Sequence, residues 1–206
     1  MAKFFYRCEN DSVCLAYCEV LGQLVLRLAG NLTAEVNHPT WIDATRTIYA
    51  KAYKLAQRGP EQPFSRPATT LVVAVLCVSP RDTFLGRWLD LTHTLVARLR
   101  PKLPTQDKYT IVACIARLLW SYLFRYSDTL NAKTRNMQNV ATELFSGGIS
   151  ANSAHQHTYH RRHDWFAGAD ALVLLAAAQI LRAMAFSQLN FTLENIFLPL
   201  LKSSFD

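Results

Sequence analysis

Four histidines fall within nine residues, His155, His157, His160 and His163, with Tyr159, Arg161 and Arg162 among them. Imidazoles at such spacings can ligate zinc. No cysteine lies nearby, however, and two guanidinium groups in the same loop repel a cation, so no metal site is expected. The leading reading is a solvated basic loop. The alternative is that Arg161 and Arg162 grip a phosphate or an acidic peptide through bidentate bonds. The other chemistry-bearing side chains are five cysteines, Cys8, Cys14, Cys18, Cys77 and Cys114. Cys14 and Cys18 stand one helical turn apart, a poor geometry for a disulfide and an ordinary one for packing. An odd number without framework spacing fits reduced thiols and a cytoplasmic setting. No P-loop, G-x-S-x-G, H-E-x-x-H or C-x-x-C pattern occurs. No catalytic residue, cofactor or small-molecule substrate is therefore expected, and the chain reads as a non-enzyme.

The elements that must carry these residues are helical. Half of the 206 residues are hydrophobic and 18% are charged, which rules out a disordered tail. Seven Gly and eight Pro give too little punctuation for a many-stranded sheet. A first helix is expected from about Ser12 to Ala29, with Val13, Tyr17, Val20, Leu21, Leu24, Val25 and Leu28 as one buried stripe. Asn37-His38-Pro39 opens a second, with Asn37 as its cap, Glu35 near its positive end and Trp41 packed on the preceding helix. That helix ends near Gly59. A short apolar helix from Ala68 to Cys77 follows, with strand as the alternative because Val72, Val73 and Val75 are β-branched.

Ser79-Pro80-Arg81-Asp82 is a helix-start signal, a hydroxyl cap followed by Pro and an acid. The helix it opens carries Phe84, Leu85, Trp88, Leu91, Leu95 and Leu99 as far as Pro101. Thr105 is expected to cap a helix to about Tyr126 whose middle, Ile111 to Phe124, is apolar nearly all round, and in which Arg117 needs a carboxylate or helix-end carbonyls. Leu130 to Phe145 is a sixth helix, Ser146 to His163 a polar loop, Asp164 to Gln188 a seventh, and Thr192 caps a last one to Leu201. Eight helices with short breaks suggest antiparallel pairs of about 40 residues, the period of HEAT and armadillo arrays. The expected fold is an all-α solenoid segment spanning 1–206 as a single unit, with a compact bundle as the runner-up. The longest apolar run, Ala171 to Phe186, is broken by Gln179 and Arg182 and falls short of the roughly 20 residues needed to span a bilayer.

Net charge is +7, from 22 Lys and Arg against 15 Asp and Glu. Between Arg81 and Arg135, ten basic residues face four acids. Solvated helix faces explain this without a ligand. A basic helical-repeat module binding nucleic acid or another polyanion is the alternative function, with nucleic acid the less favoured partner.

Three stretches resemble one family. Thr33-Ala-Glu-Val-Asn-His-Pro-Thr-Trp41, followed by Ile48-Tyr49-Ala-Lys-Ala52, resembles the AEVN-P-W segment of the Furry / cell-morphogenesis N-terminal region. Leu76-Cys77-Val-Ser79-Pro80 with Phe84, Leu85 and Trp88 is similar to that family's LLCVSP segment. Ile115-Ala-Arg117-Leu-Leu-Trp120-Ser-Tyr122-Leu-Phe-Arg125 resembles its RLLW-YLFR segment. Order and spacing agree across about 12–140, whereas nothing after Val140 carries a matching motif. Family members are far longer, so the chain reads as a fragment with a closing helical pair at about 164–203. The resemblance implies a large helical-repeat scaffold that serves NDR-type kinases and their Mob co-activators in polarised growth, in the cytoplasm or at the cell cortex. The motif residues Glu35, Asn37, His38, Pro39, Trp41, Cys77, Ser79, Pro80, Trp88, Arg117, Trp120, Tyr122 and Arg125 are read as mainly structural. The alternative is that Glu35, His38, Arg117 and Arg125 edge a partner groove, and Arg125 joins Arg161 and Arg162 as candidate partner-binding residues.

Overall fold

The computed structural model describes residues 2–28, 35–57, 64–99, 103–125, 130–145 and 171–198. Among these the secondary structure is helical throughout, and the chain divides into two compact units, Met1–Trp88 and Leu89–Asp206. The fold is all-α, of the layered-helix kind that the apolar pattern predicts.

The first unit is built around one central helix. Its elements are α1 (Ala2–Arg7), α2 (Asp11–Leu28), a 3-10 turn (Glu35–Asn37), α3 (Pro39–Ala56), α4 (Arg66–Cys77) and α5 (Arg81–Leu85). The α4 segment resolves the helix-or-strand ambiguity in favour of helix. Ser65 Oγ accepts from Ala68 N at 3.4 Å and Pro67 sits in the first turn, both helix-start devices that a strand could not use. From Leu71 to Ser79 every residue is buried, because α2 packs on one side of α4 and α3 on another. A β-branched run is tolerated in a helix when burial outweighs propensity. Each buried Val or Leu contributes about 1.5–3 kcal/mol, against a helix-propensity cost of a few tenths. The α3–α4 pair is antiparallel: Trp41, at the start of α3, donates its Nε1–H to the Val78 carbonyl just past the end of α4, at 3.0 Å.

Four expectations in this unit change. The α2 helix buries Cys14, Cys18, Leu21, Gly22 and Val25, while Val13, Val20, Leu24 and Leu28 are 40–52% exposed. The buried face is rotated from the expected stripe because the small residues Cys14, Cys18 and Gly22 let α2 lie close on α4. The cap of α3 is His38, not Asn37; its Nδ1 accepts from Thr40 N at 3.3 Å, and Asn37 belongs to the 3-10 turn. Ser79 does not cap the next helix. Its Oγ donates back to Val75 O at 2.8 Å, closing α4, and Pro80 takes the cap position without a side-chain bond. The helix expected from Arg81 to Leu99 is two: α5 ends at Gly86, whose N–H bonds Asp82 O at 3.0 Å, and α6 (Trp88–Arg98) follows. A Cβ at Gly86 would stand 3.2 Å from that same oxygen.

Gly22 offers a direct check on this packing. A Cβ there would meet nothing nearer than 3.9 Å, from Leu71 N and Thr70 Cγ2, an ordinary contact distance. Gly22→Ala is therefore expected to stabilise α2 by roughly 1 kcal/mol through helix propensity. A rise in melting temperature of about 2–4 °C by circular dichroism would follow; a fall would mean that α2 lies closer to α4 than described.

The second unit carries α6, α7 (Thr105–Arg125), α8 (Leu130–Phe145), α9 (Ala171–Ser187), α10 (Leu189–Thr192) and a π-helical turn (Leu193–Phe197). Its main packing is α7 against α9, with α8 lying against α9 and the π turn. The bounds of α8 agree with those expected. The start of the helix expected from Asp164, and the polar loop 146–163, lie outside the described residues. Thr192 takes the cap position before the π turn but makes no capping bond, because its Oγ1 donates back to Gln188 O at 2.8 Å. The middle of α7 is enclosed much as expected, with Ile111, Val112, Ile115, Leu118 and Leu119 fully buried, but Arg117 faces solvent. Arg117 therefore keeps its hydration and does not require the buried partner expected for it.

Candidate functional site

The first two motifs converge in space although 37 residues separate Trp41 from Val78. Pro39 starts α3 and His38 caps it, which aims the Trp41 indole at the end of α4. There the Val78 carbonyl is one of the helix-terminal acceptors left without an intrahelical partner, and the indole N–H satisfies it. Cys77 is buried at the last turn of α4. Ser79 ties the turn down, Pro80 redirects the chain, and Phe84 and Trp88 follow with rings stacked at 6.4 Å and 4°. The guanidinium of Arg87 lies over the Tyr49 ring at 4.7 Å. This cluster thus welds α3 to α4 and α5, using motif residues as structural parts. Of the residues proposed to edge a groove, His38 is exposed and spends Nδ1 on its cap. The side chain of Glu35 lies outside the described residues.

The third motif lies on α7. Trp120 is half-buried, and its Nε1–H donates to Gln179 O on α9 at 3.2 Å. The Phe186 ring lies tilted at 43° to the Trp120 ring with centroids 6.5 Å apart, and the Arg182 guanidinium lies 5.7 Å from the Trp120 ring centroid, within cation–π range. Tyr122 is buried, Arg125 half-buried at the last residue of α7, and Arg117 exposed. Arg161 and Arg162 lie outside the described residues, as do His155, His157, His160 and His163. Across α6 and α8, His93 Nδ1 meets Glu143 Oε2, a contact that ties those helices together. Among the described residues, no group of three or more His, Cys, Asp or Glu could hold a metal ion, and no helix is long and apolar enough to cross a membrane.

Two features escaped the sequence reading. One is the set of exposed apolar side chains. Besides the α2 group, Leu172, Leu174, Leu175 and Phe186 of α9, and Leu189, Leu193, Phe197 and Leu198 beyond it, are 44–75% exposed. Their hydrophobicity reads as core in a sequence, and only the position of a neighbour decides otherwise. The other is the seating of α1. Lys51 on α3 donates its ammonium to the carbonyls of Tyr6, at 2.8 Å, and Cys8, and lies 5.4 Å from the centroid of the buried Phe5 ring. A cation on the terminal carbonyls of a helix satisfies orphan acceptors and complements the dipole.

Burial sets the acidity of two groups. Desolvation first, and then the neighbouring Cys14 thiol, push the Cys18 thiol from 9.0 to about 12, partly offset by Lys51. Desolvation raises the Tyr122 hydroxyl from 10.0 to about 12. The folded chain holds both protons at pH values where the unfolded chain releases them, so this stability is complete below pH 9.0 and is lost as pH rises towards 12. Melting temperature is accordingly expected to fall with alkalinisation across that window, with a smaller slope in Cys18→Ala and, above pH 10.0, in Tyr122→Phe. A flat profile would contradict the burial.

Among the described residues, motif side chains weld helical pairs and apolar helix faces stay exposed. The sequence matches the cell morphogenesis N-terminal family over residues 1–206, its whole length. The chain belongs to that family. It is 34% identical over 206 residues to the Cell morphogenesis protein PAG1 of Saccharomyces cerevisiae, an alignment covering 100% of this chain and 8% of that protein. The cell-morphogenesis resemblance drawn from three motifs within about 12–140 thus extends to both ends of the chain, including the part after Val140 where no motif was recognised. The chain spans under a tenth of the length of that relative. No solved structure matches it.

Proposed function

We propose that this chain is a non-catalytic scaffold segment of a cell-morphogenesis protein, supporting NDR-type kinase signalling in cell polarity and polarised growth. The observation that carries this reading is the alignment along the whole chain with a protein named for cell morphogenesis. The exposed apolar side chains of α2 and α9 support it, since helical arrays work by presenting such faces to neighbours and partners. The motif residues act as welds between helices, and the kinase and its Mob co-activator are partners implied by family resemblance. Cytoplasm, including the cell cortex at sites of growth, is the setting that such partners require.

The test is affinity capture with the full-length parent protein, tagged in its own cell and treated with nuclease. Recovery of an NDR-type kinase with Mob, lost when residues 1–206 are deleted, supports the proposal. Undiminished recovery after that deletion assigns the kinase to other parts of the parent and overturns it for this segment.

A further inference from the structure

Cys8, Cys14 and Lys51 meet at the junction of α1, α2 and α3, for reasons that the packing of α1 explains only in part. Cys14 Sγ donates to the Cys8 carbonyl at 3.3 Å, and Cys8 Sγ donates to the Asn10 carbonyl at 3.6 Å, which places the two cysteines side by side where α1 passes into α2. The Lys51 ammonium donates to the same Cys8 carbonyl, so the cation and the Cys14 sulfur share one acceptor. Cys14 is buried at 2% exposure. Cys8 is half-buried and lines an open cleft of about 700 Å³ together with Tyr6, Arg7, Glu9, Lys51 and Lys54. One sulfur can therefore be reached from solvent, the second waits behind it, and a fixed cation stands beside the pair.

We propose that Cys8 and Cys14 form an oxidation site, in which a small hydroperoxide entering the cleft converts the thiol pair to a disulfide. Cys8 Sγ attacks one oxygen of hydrogen peroxide as its proton leaves. The O–O bond breaks, giving a sulfenic acid on Cys8 and one water. Cys14 Sγ then attacks the Cys8 sulfur, the S–O bond breaks, and the hydroxyl departs with the Cys14 proton as a second water. Two thiols are oxidised by two electrons in all, and one peroxide is reduced to two waters. Burial holds the Cys14 proton tightly, the Cys8 side chain adds to this, and Lys51 works in the opposite direction. Cys14 therefore stays protonated until the second step, when its proton leaves with the hydroxyl. Cys18, one turn farther along α2, is fully buried and shares a helix with Cys14, a spacing unsuited to a disulfide. The new bond spans residues 8 to 14 and locks the end of α1 to the first turn of α2.

The test uses the 206-residue chain, hydrogen peroxide at one equivalent, alkylation of the remaining thiols in denaturant, and mass spectrometry. Cleavage after Arg7, Glu9 and Glu19 puts Cys8 on a dipeptide and Cys14 with Cys18 on a second fragment, so the pairing is read directly. Two of the five thiols are expected to disappear, with the dipeptide joined to the second fragment through Cys14. Cys18→Ala should leave that product intact. The half-buried Cys8→Ser variant, with helicity confirmed by circular dichroism, should keep all four of its thiols. The proposal is overturned if five thiols survive, if the bond joins Cys14 to Cys18 or two chains, if Cys8 accumulates as a sulfinic acid with Cys14 still free, or if Cys8→Ser loses two thiols as the parent does.

Discussion

Trp88→Ala is expected to destabilise the first unit by about 4 kcal/mol, the range found for emptying a large aromatic site in a core. Trp88 is the largest of the fully buried side chains, at 2% exposure, and its ring stacks on the fully buried Phe84. It stands just after Gly86, where the chain turns from α5 into α6, so collapse around the hole is opposed by backbone already held by the Asp82 and Phe84 carbonyls. In urea titrations followed by circular dichroism, the midpoint should fall sharply while the slope is unchanged. Trp88→Phe keeps the stack and most of the volume, and should lose less than half as much. A loss below about 1 kcal/mol for the alanine variant would place Trp88 at a surface.

A charge at Ala74 should be worse. Ala74 is fully buried midway along α4, with α2 and α3 packed against that helix. An aspartate there would share its helix face with Leu71 and Val78, both buried. An unpaired buried carboxylate costs about 3–5 kcal/mol or more, a large share of the 5–15 kcal/mol that typical domains have. Ala74→Asp is therefore expected to yield insoluble or molten protein at neutral pH. Two controls separate charge from crowding. Ala74→Ser should cost about 1 kcal/mol, because a hydroxyl can bond a carbonyl one turn back. Ala16→Asp, on the exposed side of α2, should shift stability by no more than about 0.5 kcal/mol. Soluble, fully cooperative Ala74→Asp protein would show that α4 is not the wrapped centre of its unit.

Helix existence and most helix ends were legible in the sequence because they depend on local chemistry. Pro39 and the polar pattern of Leu130–Phe145 act within one or two turns, whereas the start of α4 at Ser65 and Pro67 reads as loop in the sequence. What was not legible depends on partners far along the chain. The face that α2 buries is chosen by α4, and Cys14, Cys18 and Gly22 carry less hydrophobic signal than the Val20 and Leu24 left outside. The identity of the α3 cap turned on one residue, since both Asn37 and His38 can accept an N–H and only the local turn decides between them. Arg117 was misplaced for a related reason. Its apolar neighbours at 115, 116, 118 and 119 suggested enclosure, whereas one open face on α7 was enough to keep it wet. Of the candidate site, the convergence of the first two motifs could not be read from their spacing, because it depends on the antiparallel return of α4. The cluster at Lys51 left no motif at all, its members being single residues at the ends of three helices.

The position of α4 sets an order of events during synthesis. Both helices that wrap it, α2 and α3, leave the ribosome first, each with a face that only the later helix can cover. Nascent chains stalled before Arg66 would thus be sticky clients for chaperones and would lose that character once α4 has emerged and docked.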